Sequence, residues 1–442
     1  MKQMKTFLYF IIMVSLFLPF LSCTSDRNSC QFVSVQDGTF RMGKVESLYY
    51  IGTNFWYGPI LASDTEFGDM ARLVAELDAM KSLGIENLRV LVGIDGPSGI
   101  DVKVQPSLQP SPGVYDDELL VGLDRFMAEL GKRDMKAVLY LNNFWEWSGG
   151  FGQYLEWAGE GEIVLPVRDG WKPFTEYTSR FMLNDKAKSM AADHVRKIVS
   201  RVNTVTGKSY SEDPAIFSWQ IANEPRCFSA SPENKQAFAD WIWSTAALIK
   251  SLDPNHMVST GSEGYYGCES DMDLFEKIHT CPDIDYLNMH IWPYNWKWVG
   301  KENLESGLEE AIFRTDSYID AHIAVAERCG KPIVLEEFGW PRDDVKYSKD
   351  TPVTVRDKYY RHVLERVVGA KKEGGMLAGA NFWGWGGSAV QVDGRVNWLP
   401  GDDYCCDPAH EPQGFYSVYL SDKSTIELIK RIQEQLENVV KN

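Results

Sequence analysis

The chain has 442 residues, 44% of them hydrophobic, and its 62 Asp and Glu outnumber 45 Lys and Arg for a formal net charge of -17. That balance repels polyanions and excludes nucleic acid and anionic membrane surfaces as charge-driven partners. The apolar content is enough for a large core, and aromatic side chains reach 13% with 15 Trp. Several of those Trp fall in apparent loops beside Gly and Asn, where stacking on a ligand is an alternative to packing.

In chain order, Lys2 and Lys5 precede an apolar run from Phe7 to Leu21 that ends in Ser22-Cys23. This reads as a signal peptide over residues 1–22. A transmembrane anchor is the alternative, but a run of about fifteen residues is shorter than the roughly 20 a span requires. Cleavage before Cys23 resembles a bacterial lipoprotein signal, although Phe20 stands where Leu is commoner. The expectation is an exported protein, lipidated on Cys23 and held to a membrane by residues 23–30, or secreted if Cys23 is unmodified. Residues 31–442 show no Pro/Ser linker, low-complexity run or repeat, so they read as one domain.

The strand-like segments are Leu48 to Asn54, Asn87 to Val92, Lys136 to Leu141, Ile216 to Ile221, Met257 to Thr260, Tyr286 to His290, Ile333 to Glu337 and Gly379 to Phe382. Each is followed by a helical pattern: Asp69 to Leu83, Asp116 to Lys132, Asp185 to Asn203, Pro232 to Leu252, Asp271 to His279, Leu304 to Cys329, Thr354 to Glu373 and Ser424 to Lys441. In the first helix the apolar positions Met70, Leu73, Val74, Leu77 and Met80 recur at helical spacing. Eight strand-helix units in one domain predict a (β/α)₈ barrel with its site at the strand C-termini. Of the eight cysteines, Cys268 and Cys281 flank a short helix and are candidates for a disulfide, while Cys405 and Cys406 are adjacent. No Cys/His cluster has zinc spacing, so no metal and no cofactor are expected.

The chemistry is concentrated in two stretches. Ile216-Phe217-Ser218-Trp219-Gln220-Ile221-Ala222 is a buried-strand pattern that ends in Asn223-Glu224-Pro225-Arg226. Ile333-Val334-Leu335 ends in Glu336-Glu337-Phe338-Gly339. Alone, Glu224 has the dull reading of a salt-bridge partner or a helix N-terminal acid. Two acids at two strand tips suggest paired-carboxylate chemistry. Strand periodicity sends Glu336 to the opposite side from Glu337 and gives it a structural role. The other tips carry Asn54 and Trp56, Arg89, Asn142 and Trp145, Glu263, His290 and Trp292, and Trp383, a convergence that stability alone does not require.

The ordered set of motifs resembles glycoside hydrolase family 5, specifically its β-mannanase branch, over nearly the whole mature chain. It comprises Gly52-Thr53-Asn54-Phe55-Trp56-Tyr57-Gly58, Asn87-Leu88-Arg89, Leu141-Asn142-Asn143-Phe144-Trp145 with Gly149-Gly150, and Gln153-Tyr154-Leu155-Glu156-Trp157. It continues with Arg201-Val202-Asn203-Thr204, Asn223-Glu224-Pro225-Arg226, Gly261-Ser262-Glu263-Gly264, Glu337-Phe338-Gly339 and Phe382-Trp383.

The resemblance implies Glu224 as acid/base, Glu337 as nucleophile and Arg89 as the cation that keeps Glu337 ionised. It implies Asn223 at the sugar 2-hydroxyl, His290 at the sixth tip, and Trp383 beneath the sugar being cleaved. Trp56, Trp145, Glu263 and Trp292 complete the substrate-binding set. The family commonly has Tyr two residues after the histidine, where this chain has Trp292 with Tyr294 beyond. The expected activity is retaining hydrolysis of β-1,4-mannosidic bonds in mannan or manno-oligosaccharides, with endo-cleavage first. The long loops 93–115, 142–184, 291–303 and 384–413 would make it exo-acting if they wall off one end of the cleft. A β-1,4-glucanase and a non-catalytic mannan-binding barrel are the rivals, and the intact acid pair opposes the second.

Overall fold

The computed structural model describes residues 32–100 and 102–439. The expected signal peptide, Cys23 and the whole of its leash lie outside the described residues. Eight parallel strands form the central sheet: β1 (Tyr50–Asn54), β2 (Asn87–Leu91), β3 (Lys136–Asn143), β4 (Ile216–Asn223), β5 (Met257–Ser259), β6 (Leu287–Ile291), β7 (Ile333–Phe338) and β8 (Leu377–Phe382). The order is β5-β4-β3-β2-β1-β8-β7-β6, and a parallel bridge from Ser259 to Tyr286 joins the two ends. The result is a (β/α)₈ barrel. Every residue of β4, β7 and β8 is buried, which is why these strands are mostly apolar, and the polar residues inside β4, Ser218 and Gln220, are hydrogen-bonded.

Eight principal helices return the chain between strands: α1 (Met70–Ser82), α2 (Asp117–Lys132), α3 (Asp185–Val199), α4 (Pro232–Leu252), α5 (Met272–His279), α6 (Leu308–Cys329), α7 (Thr354–Glu373) and α8 (Lys423–Glu437). Their starts are locally encoded. Asp69, Asp116, Asn184 and Asp271 each accept a backbone N–H of the first turn, satisfying donors that would otherwise be orphaned. A small antiparallel sheet, Val33–Gln36, Thr39–Met42 and Val45–Leu48, precedes the barrel. Phe40 from it lies 5.2 Å from Phe217 and 5.3 Å from Tyr286, ring to ring, and so plugs the end of the barrel opposite the strand tips.

Two expectations need correction, and one motif acquires a structural role. Cys268 and Cys281 are free buried thiols, as are Cys405 and Cys406, so no disulfide ties the short helix. The motif Arg201-Val202-Asn203-Thr204 is structural: Arg201 and Thr204 converge on buried Asp124 of α2, with 2.7 to 2.8 Å contacts. The strongest departure is in β7. Its register with β6 slips between Leu335 and Glu337, a β-bulge, so Glu336 does not face away from the barrel. A bulge breaks the period-two rule at that one residue. Both Glu336 and Glu337 thereby reach Arg89 from neighbouring positions.

Candidate active site

The tips of β4 and β7 bring Glu224 and Glu337 together, 7% and 3% exposed, at the floor of a cavity of about 490 Å³. Oxygen atoms of the two carboxyls and Nδ1 of His290 all lie within 4.8 Å of one another. A metal ion could use that spacing, but the remaining carboxyl oxygens are already engaged by protein donors. Trp145 Nε1 donates to Glu224 Oε2 at 2.5 Å, and Arg89 donates to Glu337 Oε1. His290 Nδ1 sits 2.6 Å from Glu224 Oε1 and 3.4 Å from Glu337 Oε2. Facing two carboxyl oxygens, that nitrogen carries the proton. Burial and then the nearby Arg89 push the imidazole well below its usual range, so the ring stays neutral.

Arg89, in the middle of β2, is fully buried. Its guanidinium donates to Gln220 Oε1 at 2.8 Å, Asn223 Oδ1 at 2.7 Å, Asn54 Oδ1 at 3.2 Å and Glu337. One cation therefore fixes side chains from β1, β4 and β7. One layer deeper, Glu336 accepts from Gln220 Nε2 at 2.6 Å and from the Tyr286 hydroxyl at 3.3 Å. Burial raises its carboxyl to about 7. Gln220 thus spans Arg89 and Glu336, and the bulge in β7 makes that layer part of the site's support.

Burial raises Glu224, with Arg226, Trp145 and Arg89 pulling part of the way back. Burial also raises Glu337; Arg89 opposes that rise and the Glu224 charge adds to it. Two buried carboxyls this close titrate as a pair, and one proton is retained between them. The Arg89 contact places the negative charge on Glu337 and leaves the proton on Glu224. An ionised carboxylate facing a protonated one across a pocket can attack a carbon on one side and deliver a proton on the other.

Trp145, Asn223, Glu263, Trp292 and Trp383 line the cavity. Arg89 and His290 do not; they act from beneath, through the two carboxyls. Trp56 is a correction. It is 1% exposed, donates its indole N–H to Cys406 O, and backs Trp147 at 5.7 Å ring to ring, so Trp147 rather than Trp56 presents its ring to the pocket. Trp292, in the place of the family's tyrosine, meets Trp383 at 5.9 Å and Tyr416 at 5.0 Å, ring to ring. Tyr294 turns away to pack on Phe415. Among the described residues, Arg89 and His290 are the hydrogen-bonding or ion-pair partners of Glu337.

The sequence did not single out Glu146, Asn295, Trp296, His410, Glu411 or Tyr416, all of which line the cavity. They come from the loops after β3, β6 and β8, where no periodicity marks which side chain turns inward. Burial raises Glu146 to about 7, and burial with Asp407 and Glu146 nearby raises Glu411 to about 8.

Two buried carboxyls facing each other at the strand tips of a (β/α)₈ barrel are the equipment of a barrel glycoside hydrolase. Residues 30–441 match the profile of the GH family 5 beta-mannosidase-like group, and the chain belongs to glycoside hydrolase family 5. Mannan endo-1,4-beta-mannosidase 7 of Arabidopsis thaliana is 32% identical over 76% of this chain and 74% of its own length. Mannan endo-1,4-beta-mannosidase 1 of the same plant is 29% identical over 88% of this chain and 89% of its own. The crystal structure of the family 5 mannosidase from Rhizomucor miehei superposes with a TM-score of 0.84 at 34% identity, covering 93% of this chain and 99% of that one.

Proposed function

We propose that this protein hydrolyses β-1,4-mannosidic bonds in mannans with retention of anomeric configuration, Glu337 acting as nucleophile and Glu224 as acid/base. The observation that carries retention is the separation of the two carboxyls, whose facing oxygens lie within 4.8 Å. An inverting pair stands about 6.5 to 9.5 Å apart to admit a water, and a retaining pair about 5 to 5.5 Å apart. Glu337 attacks the anomeric carbon as Glu224 protonates the leaving oxygen. A covalent α-mannosyl-enzyme forms, and Glu224 then takes a proton from the water that releases β-configured product. Asn223, its amide fixed by Arg89 and Asn143, meets the 2-hydroxyl, and Trp383 lies under the ring. NMR of the first-formed product from manno-oligosaccharides tests retention directly, since initial α-product would refute it.

Endo-cleavage is the reading the plant relatives support. A second reading, release of mannose from chain ends, is favoured by one observation: Pro408, His410 and Glu411 of the loop after β8 form part of the cavity wall. A wall there stops the chain at one end of the cleft. Viscosity of a soluble galactomannan against reducing ends released distinguishes the two. Internal cutting gives a steep early fall in viscosity, whereas steady mannose release at nearly constant viscosity would establish the end-acting mode.

The N-terminal pattern supports export with lipid attachment at Cys23. The native protein is then expected in the membrane fraction, and Cys23→Ser should alter its processing or release it. Wild-type protein that starts beyond Cys23 and is wholly soluble would rule this out.

A further inference from the structure

Trp171 is 55% exposed although six other Trp and Tyr rings line the same cavity. It opens the short helix Trp171–Thr178, inserted between β3 and α3, and lines the cavity with Pro166 and Val167. One part of the ring is covered: it stacks on Trp145 at 5.7 Å with 28° between planes, and Phe228 meets it edge to face at 5.9 Å. Phe174 fills the space between this ring and the barrel, 5.7 Å from Trp171 and 6.1 Å from Trp145. The preceding turn is fastened by Arg168 to Ile163 O at 2.6 Å and by Asp169 to Leu165 N at 2.9 Å. Trp171 is therefore held in place with much of its surface left open to solvent.

Its position relative to the chemistry follows from the chain of contacts. Trp145 donates to Glu224, and Trp171 stacks on Trp145. The Arg226 guanidinium lies over Trp145 and Phe228, so this aromatic group and Arg226 share the Glu224 side of the pocket. Glu224 delivers its proton to the leaving oxygen, so the sugar that departs extends along this side.

We propose that Trp171 is a stacking platform for a mannose unit beyond the scissile bond, on the leaving-group side of a β-1,4-linked manno-oligosaccharide or mannan chain. The inference rests on the mannan-hydrolase reading. A pyranose offers an apolar C–H face with a polar rim, and an open indole held in place takes that face with little loss of side-chain freedom. Val167, 61% exposed beside it, widens the same apolar strip.

The test compares kcat/KM of wild type, Trp171→Ala and Trp171→Phe on mannohexaose and on an aryl β-mannoside, whose leaving group is one ring. Trp171→Ala is expected to lose about tenfold more on mannohexaose than on the aryl mannoside, mostly through KM, with Trp171→Phe recovering most of the difference. Equal losses on the two substrates, or no recovery with Phe, overturn the platform while leaving the mannoside reading intact. Wild-type protein inactive on every β-mannoside overturns that reading, and the platform falls with it.

Discussion

Glu337→Ala is expected to lower kcat by four or more orders of magnitude on mannan and on activated aryl mannosides alike, the scale on which loss of a covalent nucleophile acts. Leaving-group quality cannot compensate, because the missing step is attack on carbon. The substitution also removes a carboxylate that Arg89 holds in a buried site. Arg89 keeps Asn54, Gln220 and Asn223 as partners, so the barrel should still fold. Azide fits the space vacated by the carboxylate and should restore turnover, entering from the face Glu337 used and giving an α-mannosyl azide. A β-azide from this variant would reverse the assignment of the two acids.

Glu224→Gln is expected to cut mannan hydrolysis by about 10²- to 10⁴-fold, the usual contribution of a general acid, and to spare the first chemical step on an aryl mannoside with a good leaving group. Equal losses in that step would argue against the acid role. The pH profile gives an independent reading. Burial raises the Glu224 carboxyl, so the protonated form needed for the first step persists above the ordinary carboxylate range and is lost as pH rises through the raised value. Wild type should show that basic limb on mannan, and the Gln variant should lack it for first-step cleavage of the activated substrate. Persistence of the same limb in the variant would place the titrating group elsewhere.

The barrel was legible because parallel strands covered on both faces are written as apolar runs, and because helix starts are marked by residues such as Asp116 and Asn184 that cap their own turns. The carboxyl pair was legible for a related reason: an acid directly after such a run must stand at the strand tip. What stayed hidden depended on geometry without a local signature. The bulge in β7 that turns Glu336 inward follows from register with β6, a relation between segments about 40 residues apart in sequence. Trp56 has the same strand-tip sequence signature as Trp145, but Trp147 and Tyr404 cover it. Glu146, His410 and Glu411 come from loops whose course depends on distant anchors.

Those anchors bear on how substrate is received. Asp407 accepts from Gly414 N at 2.8 Å, Tyr416 N at 3.1 Å and Ser417 Oγ at 2.7 Å. Arg342 and Arg356 both grip Asp422 just beyond the loop after β8. Arg72 holds Tyr404 O at 2.7 Å, and Glu76 binds Trp385 Nε1 and Ser388 N. The wall segment Pro408 to Glu411 is thus framed by charge-assisted hydrogen bonds on one side and by the buried ion pairs of Asp422 on the other. A sugar entering this cavity meets a surface already shaped, so little of its binding free energy is consumed in ordering that loop. Substrate entry then requires no closure of this wall segment, whose shape is set before the sugar arrives.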